Sequence, residues 1–142
     1  MGPRTSSLLV ALALGCAGIA GCGSETSAFD IDVGDCLNDV SGEIASVNTV
    51  SCEDPHDREV YYAFNLPDGE YPGEAAVSEA ASQSCENAFS DYVGVLLDES
   101  RYGIYSLTPT QESWDVLDDR LVTCMLGAGN EKITGSAKGT GE

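Results

Sequence analysis

The residues best suited to chemistry in this chain fall into two sets: a single histidine placed among acids, and six cysteines. His56 stands in the stretch Cys52-Glu53-Asp54-Pro55-His56-Asp57-Arg58-Glu59. An imidazole that titrates near neutrality, with carboxylates close in sequence, is the raw material of acid–base work. A nucleophilic triad needs a hydroxyl or thiol held against that ring, and none of the serines stands in a Gly-x-Ser-x-Gly elbow. The expected role of His56 is therefore structural: to cap its loop by bonding backbone or a neighbouring carboxylate. If it functions, recognition or pH sensing is expected before catalysis, with Arg58 and Glu59 beside it. No catalytic residue is predicted.

Other chemistries fail on spacing. Asp30, Asp32, Asp35 and Asp39 imitate a calcium loop, but Val33-Gly34 interrupts the series and no bidentate Glu falls at the twelfth position. Paired carboxylates for glycoside hydrolysis are recognised only by their separation in space. The cysteines show no Cys-x-x-Cys or Cys-x-His spacing of the kind that structural zinc sites use. No metal and no cofactor are expected. The chain has 142 residues, with 24 Asp and Glu against 6 Lys and Arg and a formal charge of −18. The acids are spread along the chain as on a solvated surface. Phosphate binding needs clustered cations, so nucleic acid is excluded as a partner, as is adsorption to anionic lipid through a basic patch. A saline habitat, a basic partner or simple solubility is compatible with the acidity.

The amino terminus is an export signal. Arg4 precedes an apolar run from Leu8 to Ala20, too short to span a bilayer but suited to a secretory h-region. It ends in Ile19-Ala20-Gly21-Cys22, which resembles a lipobox: an aliphatic residue, two small residues, then the cysteine that takes the diacylglycerol. Residues 1–21 are thus expected to be a lipoprotein signal peptide and Cys22 the acylated residue that partners the bilayer. Two or more acyl chains hold where one merely visits, because each buried methylene contributes about 0.8 kcal/mol. The expected location is the extracytoplasmic side of the cell membrane, with residues 22–28 as a flexible tether.

Export makes Cys36, Cys52, Cys85 and Cys124 disulfide candidates. The elements that position them follow from periodicity. Phe29, Ile31 and Val33 alternate as a first strand; Ile44, Val47, Val50 and Cys52 form a second run whose phase slips once. A bridge between Cys36 and Cys52 would close that hairpin-like unit. Val60, Tyr62, Phe64 and Leu66 recur at period two in a third strand, which Pro67-Asp68-Gly69 ends. From Gly73 to Val93 the period changes: Val77, Ala81, Cys85, Ala88, Phe89, Tyr92 and Leu96 mark an amphipathic helix with Pro72 at its entrance and Gly94 as C-cap. Strands over Tyr102–Leu107 and Arg120–Leu126 follow, the second placing Val122, Cys124 and Leu126 on one face. Cys85 in the helix stripe and Cys124 on that face are predicted to pair. Loop closure assigns the two bridges roughly 3 and 4 kcal/mol. Trp114 is expected to pack as a core aromatic rather than serve as a ligand platform. Residues 129–142, rich in Gly, Ser and Thr, read as a flexible tail.

Val33-Gly34-Asp35-Cys36, Val50-x-Cys52-x-x-Pro55-His56-x-x-Glu59-Val60-Tyr61, then Cys85 with Phe89 and Tyr92, Pro109-Thr110, Trp114, Asp119-Arg120 and Cys124 resemble, in that order, the septum formation domain of actinobacterial envelope proteins. The likeness covers about residues 29–136. In one departure, Leu117-Asp118 stands before Asp119-Arg120 where the family commonly has glycine. The resemblance implies an exported, membrane-attached domain tied to septum formation, with no established enzymatic activity. The reading is one α+β domain over 29–128: an antiparallel sheet of about five strands with one helix packed on it. Its expected function is a non-enzymatic interaction module of the cell envelope, partnered by an envelope or division protein, with His56, Arg58, Glu59 and Trp114 as candidate recognition residues. The alternative is a small peptidoglycan-active hydrolase or an inhibitor of one.

Overall fold

The computed structural model describes residues 24–38, 40 and 46–142. The expected signal peptide over residues 1–21 and the expected acylation site Cys22 lie outside the described residues. Among the described residues, six strands form one antiparallel sheet: β1 (Ser24–Ser27), β2 (Cys36–Asn38), β3 (Ser46–Val50), β4 (Arg58–Asn65), β5 (Gly103–Leu107) and β6 (Leu121–Gly127), in spatial order β1-β3-β2-β4-β6-β5. Helix α1 (Glu74–Val93) joins β4 to β5, and a short helix α2 (Gln111–Leu117) precedes β6. The expected α+β class holds, with one strand and one helix more than the pattern foretold.

Two strands are new and one expected strand is lost: β1 lies where the tether was expected, and β2 follows the turn at Gly34-Asp35. In β1, Ser-Glu-Thr-Ser carries no apolar alternation because, on the sheet edge, its ladder to β3 and a Thr26–Thr49 hydroxyl contact at 3.0 Å hold it. The strand expected over Phe29–Val33 is instead turn and irregular chain, closed by Asp30 N–H to Ser27 O and Asp35 N–H to Asp32 O. Only Ile31 of that alternating trio is buried; Phe29 and Val33 face solvent.

The period-two reading of β4 also breaks. A register shift between Val60 and Tyr62 opposes Val60 to Met125 but Tyr62 to Cys124. Opposed residues share a face, so Val60 packs with Met125, Leu37, Val47 and Ile31 on one side. Tyr61, Phe64, Val122, Cys124 and Leu126 pack on the other, under α1. Tyr61, not Tyr62, is the core tyrosine, and its hydroxyl donates to the Cys85 carbonyl at 2.7 Å.

In α1, Val77, Ala81, Cys85, Phe89 and Val93 are buried at successive steps of four, and Gly94 ends the helix in the left-handed region at φ 93°. Full burial of a side chain such as Phe89 contributes about 1.5–3 kcal/mol. Leu96, included in the expected stripe, falls beyond that glycine and is exposed. Both predicted disulfides are present, Cys36–Cys52 and Cys85–Cys124.

Helix α2 begins at a reciprocal cap: Ser113 N–H donates to Thr110 Oγ1 and Thr110 N–H to Ser113 Oγ. It sets Trp114 in the core, where the indole N–H donates to Gly69 O at 2.9 Å and the Arg120 guanidinium stacks 3.7 Å from the ring. The chain after Gly127 is the largest departure from expectation. Ile133 and Ala137 are buried, and residues 131–141 run as a strap across the end of α1 and the start of β4. The folded domain therefore extends well past residue 128.

Candidate functional site

The corner between β3 and β4 brings the strap, the Cys36–Cys52 bridge, His56 and Glu59 together. Asp54 N–H closes a turn onto Ser51 O, and Pro55 fixes its own φ at the corner. His56 pairs with the strap through its backbone, accepting from Ile133 N–H at 2.8 Å and donating to Ile133 O at 2.9 Å. Its ring is fully buried, with Nδ1 2.9 Å from the Asp54 carbonyl. A carbonyl only accepts, so Nδ1 carries a proton, and in the neutral ring Nε2 then presents a lone pair. Nε2 is buried with no hydrogen-bond partner. The expected loop cap is there, but it uses one of the two ring nitrogens.

Glu59 is also fully buried. Oε1 accepts from the Tyr92 hydroxyl at 2.8 Å and the Ser136 hydroxyl at 2.5 Å; Oε2 accepts from Ala137 N–H at 2.7 Å. One carboxyl group thus ties α1 and the strap to β4. Burial, the Glu59 hydrogen bond and its charge together push the Tyr92 hydroxyl up to about 12. Tyr61 is raised by burial and, secondarily, by the charge of Glu86.

The strap completes the seal. Gly135 N–H donates to Cys52 O at 2.7 Å, and Gly139 and Gly141 donate to Tyr92 O and Val93 O, each at 2.8 Å. The last carbonyls of a helix have no partner within it, and here two of them are met by these alternate glycines. Gly139 and Gly141 sit at φ 70° and 69°, where a side chain is disfavoured. Lys132 adds contacts to Asp57 Oδ1 at 2.8 Å and Asn38 Oδ1 at 2.6 Å.

The candidate recognition residues are not one surface. His56 and Glu59 meet inside the corner. Arg58 turns to the opposite face of the sheet, where its guanidinium lies 3.7 Å from the centre of the Tyr105 ring. Trp114 belongs to a separate cluster with Tyr71 and Arg120. Sequence reasoning missed Tyr92, Ile133, Gly135, Ser136 and Ala137 as members of the site. A legible signal was the lone aliphatic Ile133 inside a glycine-rich segment. A Cys36 Sγ, a His56 ring nitrogen and a Glu59 oxygen lie within 4.8 Å of one another. While the bridge stands, Cys36 has no thiolate to offer a metal. The chemistry left to the group is that of a buried imidazole ring beside a disulfide sulfur.

A family described as Septum formation matches residues 33–140. This chain belongs to the septum formation family. No curated protein and no solved structure matches it. The septum formation match runs through residue 140, so the strap lies inside the family's own span, and it begins after β1. In this chain Cys52-x-x-Pro55-His56-x-x-Glu59 corresponds in space to the bridge, the loop cap and the strap anchor. Asp118, just before Asp119-Arg120, adopts φ 55° at the C-cap of α2, a left-handed conformation in which glycine is the least strained residue.

Proposed function

We propose that this septum formation domain is a lipid-anchored, extracytoplasmic interaction module of the dividing cell envelope, held at the membrane through acylated Cys22 and acting without turnover. The observation that carries the reading is the family match over residues 33–140. Where β1 begins supports the anchored geometry. Ser24 is already in the sheet, so only Gly23 separates it from Cys22, a reach of about 7 Å over two residue steps. An acyl anchor at Cys22 thus puts the β1 edge of the sheet at the headgroups, with the rest of the acidic domain projecting outward. The partner is an envelope or division protein that meets the domain from the aqueous side. No helix among the described residues is long and apolar enough to cross a membrane.

Two measurements test it. Mass spectrometry of the membrane fraction should find an amino-terminal peptide beginning at diacylated Cys22, and a solely unmodified soluble chain overturns the anchor. A tagged chain should concentrate at division sites and cross-link to a division protein; uniform distribution without such a partner overturns the septal role.

A further inference from the structure

The two disulfides differ in their surroundings. Both sulfurs of Cys85–Cys124 belong to fully buried residues, whereas Cys36 is buried and Cys52 is partly exposed on the corner loop. The buried end of the Cys36–Cys52 bridge lies in the group formed with the His56 ring and the Glu59 carboxyl, within 4.8 Å of both. His56 Nε2 has a lone pair, complete burial and no partner. Nothing in the anchoring of the strap uses that nitrogen.

We propose that Cys36–Cys52 is an exchangeable disulfide through which the domain forms a covalent mixed disulfide with an exported thiol, Cys52 being the sulfur attacked and His56 the group that serves Cys36. Thiol–disulfide exchange is governed by access to the attacked sulfur and by how well the other sulfur leaves. Cys52 has the access, and Cys36 has the imidazole. In the step, the incoming thiol ionises and its thiolate forms a bond to Cys52 Sγ. The Cys36–Cys52 bond breaks and its electron pair goes to Cys36 Sγ. The proton released by the incoming thiol is taken up from water at His56 Nε2, whose new N–H then donates to the Cys36 thiolate. Two electrons move within the sulfur set, so no outside oxidant is needed. Reversal, with Cys36 attacking Cys52 and expelling the partner thiolate, restores the bridge. The groups facing His56 are Cys36 from β2, Glu59 from β4 with the Tyr92 hydroxyl of α1 behind it, the Asp54 carbonyl, and the backbone of Ile133 on the strap; Asp57 and Lys132 pair at the rim. The proposal goes beyond the interaction-module reading and does not depend on the anchor or on septal location.

The experiment exposes the folded chain, with both bridges formed, to glutathione at neutral pH, quenches with an alkylating reagent and maps the products by mass spectrometry. Cys36–Cys52 should open while Cys85–Cys124 remains, and glutathione should be found on Cys52. His56→Gln should slow the opening on the order of a hundredfold, the low end of what a positioned acid–base group contributes. Loss of both bridges together, glutathione on Cys36, or an unchanged rate in His56→Gln overturns the proposal. If His56→Gln does not fold, the pH profile of the unaltered chain decides. Unassisted attack speeds up about tenfold per pH unit below the thiol's pKa. With the imidazole stabilising the leaving Cys36 sulfur, a profile shallower than that is expected between about pH 7 and 8.5. A tenfold rise per unit overturns it.

Discussion

Replacing Glu59 by alanine removes the one carboxyl group on which β4, α1 and the strap converge. Its bonding partners do not lose equally. The hydroxyls of Tyr92 and Ser136 lie near the surface and regain water, but the Ala137 N–H belongs to a fully buried residue and has no substitute acceptor. A stranded buried donor costs about 1–3 kcal/mol, and a hydrogen bond to a charged group contributes about 1.5–3 kcal/mol net of the water it replaces. A loss of about 3–5 kcal/mol is expected for Glu59→Ala, a large part of the ~5–15 kcal/mol available to a domain. Glu59→Gln separates hydrogen bonding from volume. Its amide oxygen can still accept from Ala137 N–H, while its NH2 faces two hydroxyls that can rotate to become acceptors. That variant should lose only about 1–2 kcal/mol. Urea unfolding with both disulfides intact measures the totals, and amide exchange at Ile133, Ala137, Gly139 and Gly141 reports the strap. Those amides should lose protection first in Glu59→Ala. Equal stabilities for the two variants, or an alanine variant whose strap amides stay protected, would refute the reasoning.

Three further outcomes follow from local geometry. A Cβ added at Gly127 meets Arg58 Nη1 at 2.6 Å, the Asp57 carbonyl at 2.8 Å and Arg58 Cδ at 2.9 Å; Gly127→Ala should cost about 1–3 kcal/mol in thermal or urea unfolding because backbone must yield. Asp118→Gly relieves a left-handed residue at φ 55° and gives up an ion pair to Arg120 whose carboxylate is largely exposed; a gain of up to about 1 kcal/mol is expected, and a clear loss in urea unfolding refutes it. The hydroxyls of Tyr61, Tyr92 and Tyr102 are all raised, chiefly by burial. Above about pH 10 the unfolded chain has released those protons and the folded chain keeps them, so the unfolded state binds fewer protons and stability falls as pH rises. Tyrosinate absorbance should therefore show late-titrating groups that ionise with unfolding, one fewer in Tyr92→Phe.

The sequence announced those elements whose burial is one-sided and regular. Helix α1 buries every fourth residue, and its stripe, its C-cap at Gly94 and the partner of Cys85 were all legible. β4 was located, but not its faces: the bulge at Tyr61 reverses the alternation, and a strand covered on both sides presents apolar residues at adjacent positions, as at Val60 and Tyr61. β1 was invisible because an edge strand held by backbone and threonine hydroxyls needs no apolar face. In the corner, His56 and Glu59 could be singled out. Their partners could not, because Ser136 and Ala137 lie about eighty residues away and act through a hydroxyl and a backbone N–H. Backbone donors carry no side-chain signature.

The glycines of the strap show why low complexity was misleading. A segment rich in Gly, Ser and Thr lacks the apolar area to fold on its own. Here it needs little, because its ordering is repaid by polar groups that α1 and the corner would otherwise leave unmatched: Tyr92 O, Val93 O, Cys52 O and the Glu59 carboxyl. Glycine at 139 and 141 permits the left-handed backbone that aims successive N–H groups at adjacent helix carbonyls. Since Gly135 holds the Cys52 carbonyl and Ala137 holds Glu59, strap docking and the state of the Cys36–Cys52 bridge bear on the same few residues. Linkage between them is reciprocal. Loosening the strap bares the bridge to attack, and opening the bridge frees the loop on which the strap is seated. The corner is thus the point where a covalent change at the surface reaches the far end of α1.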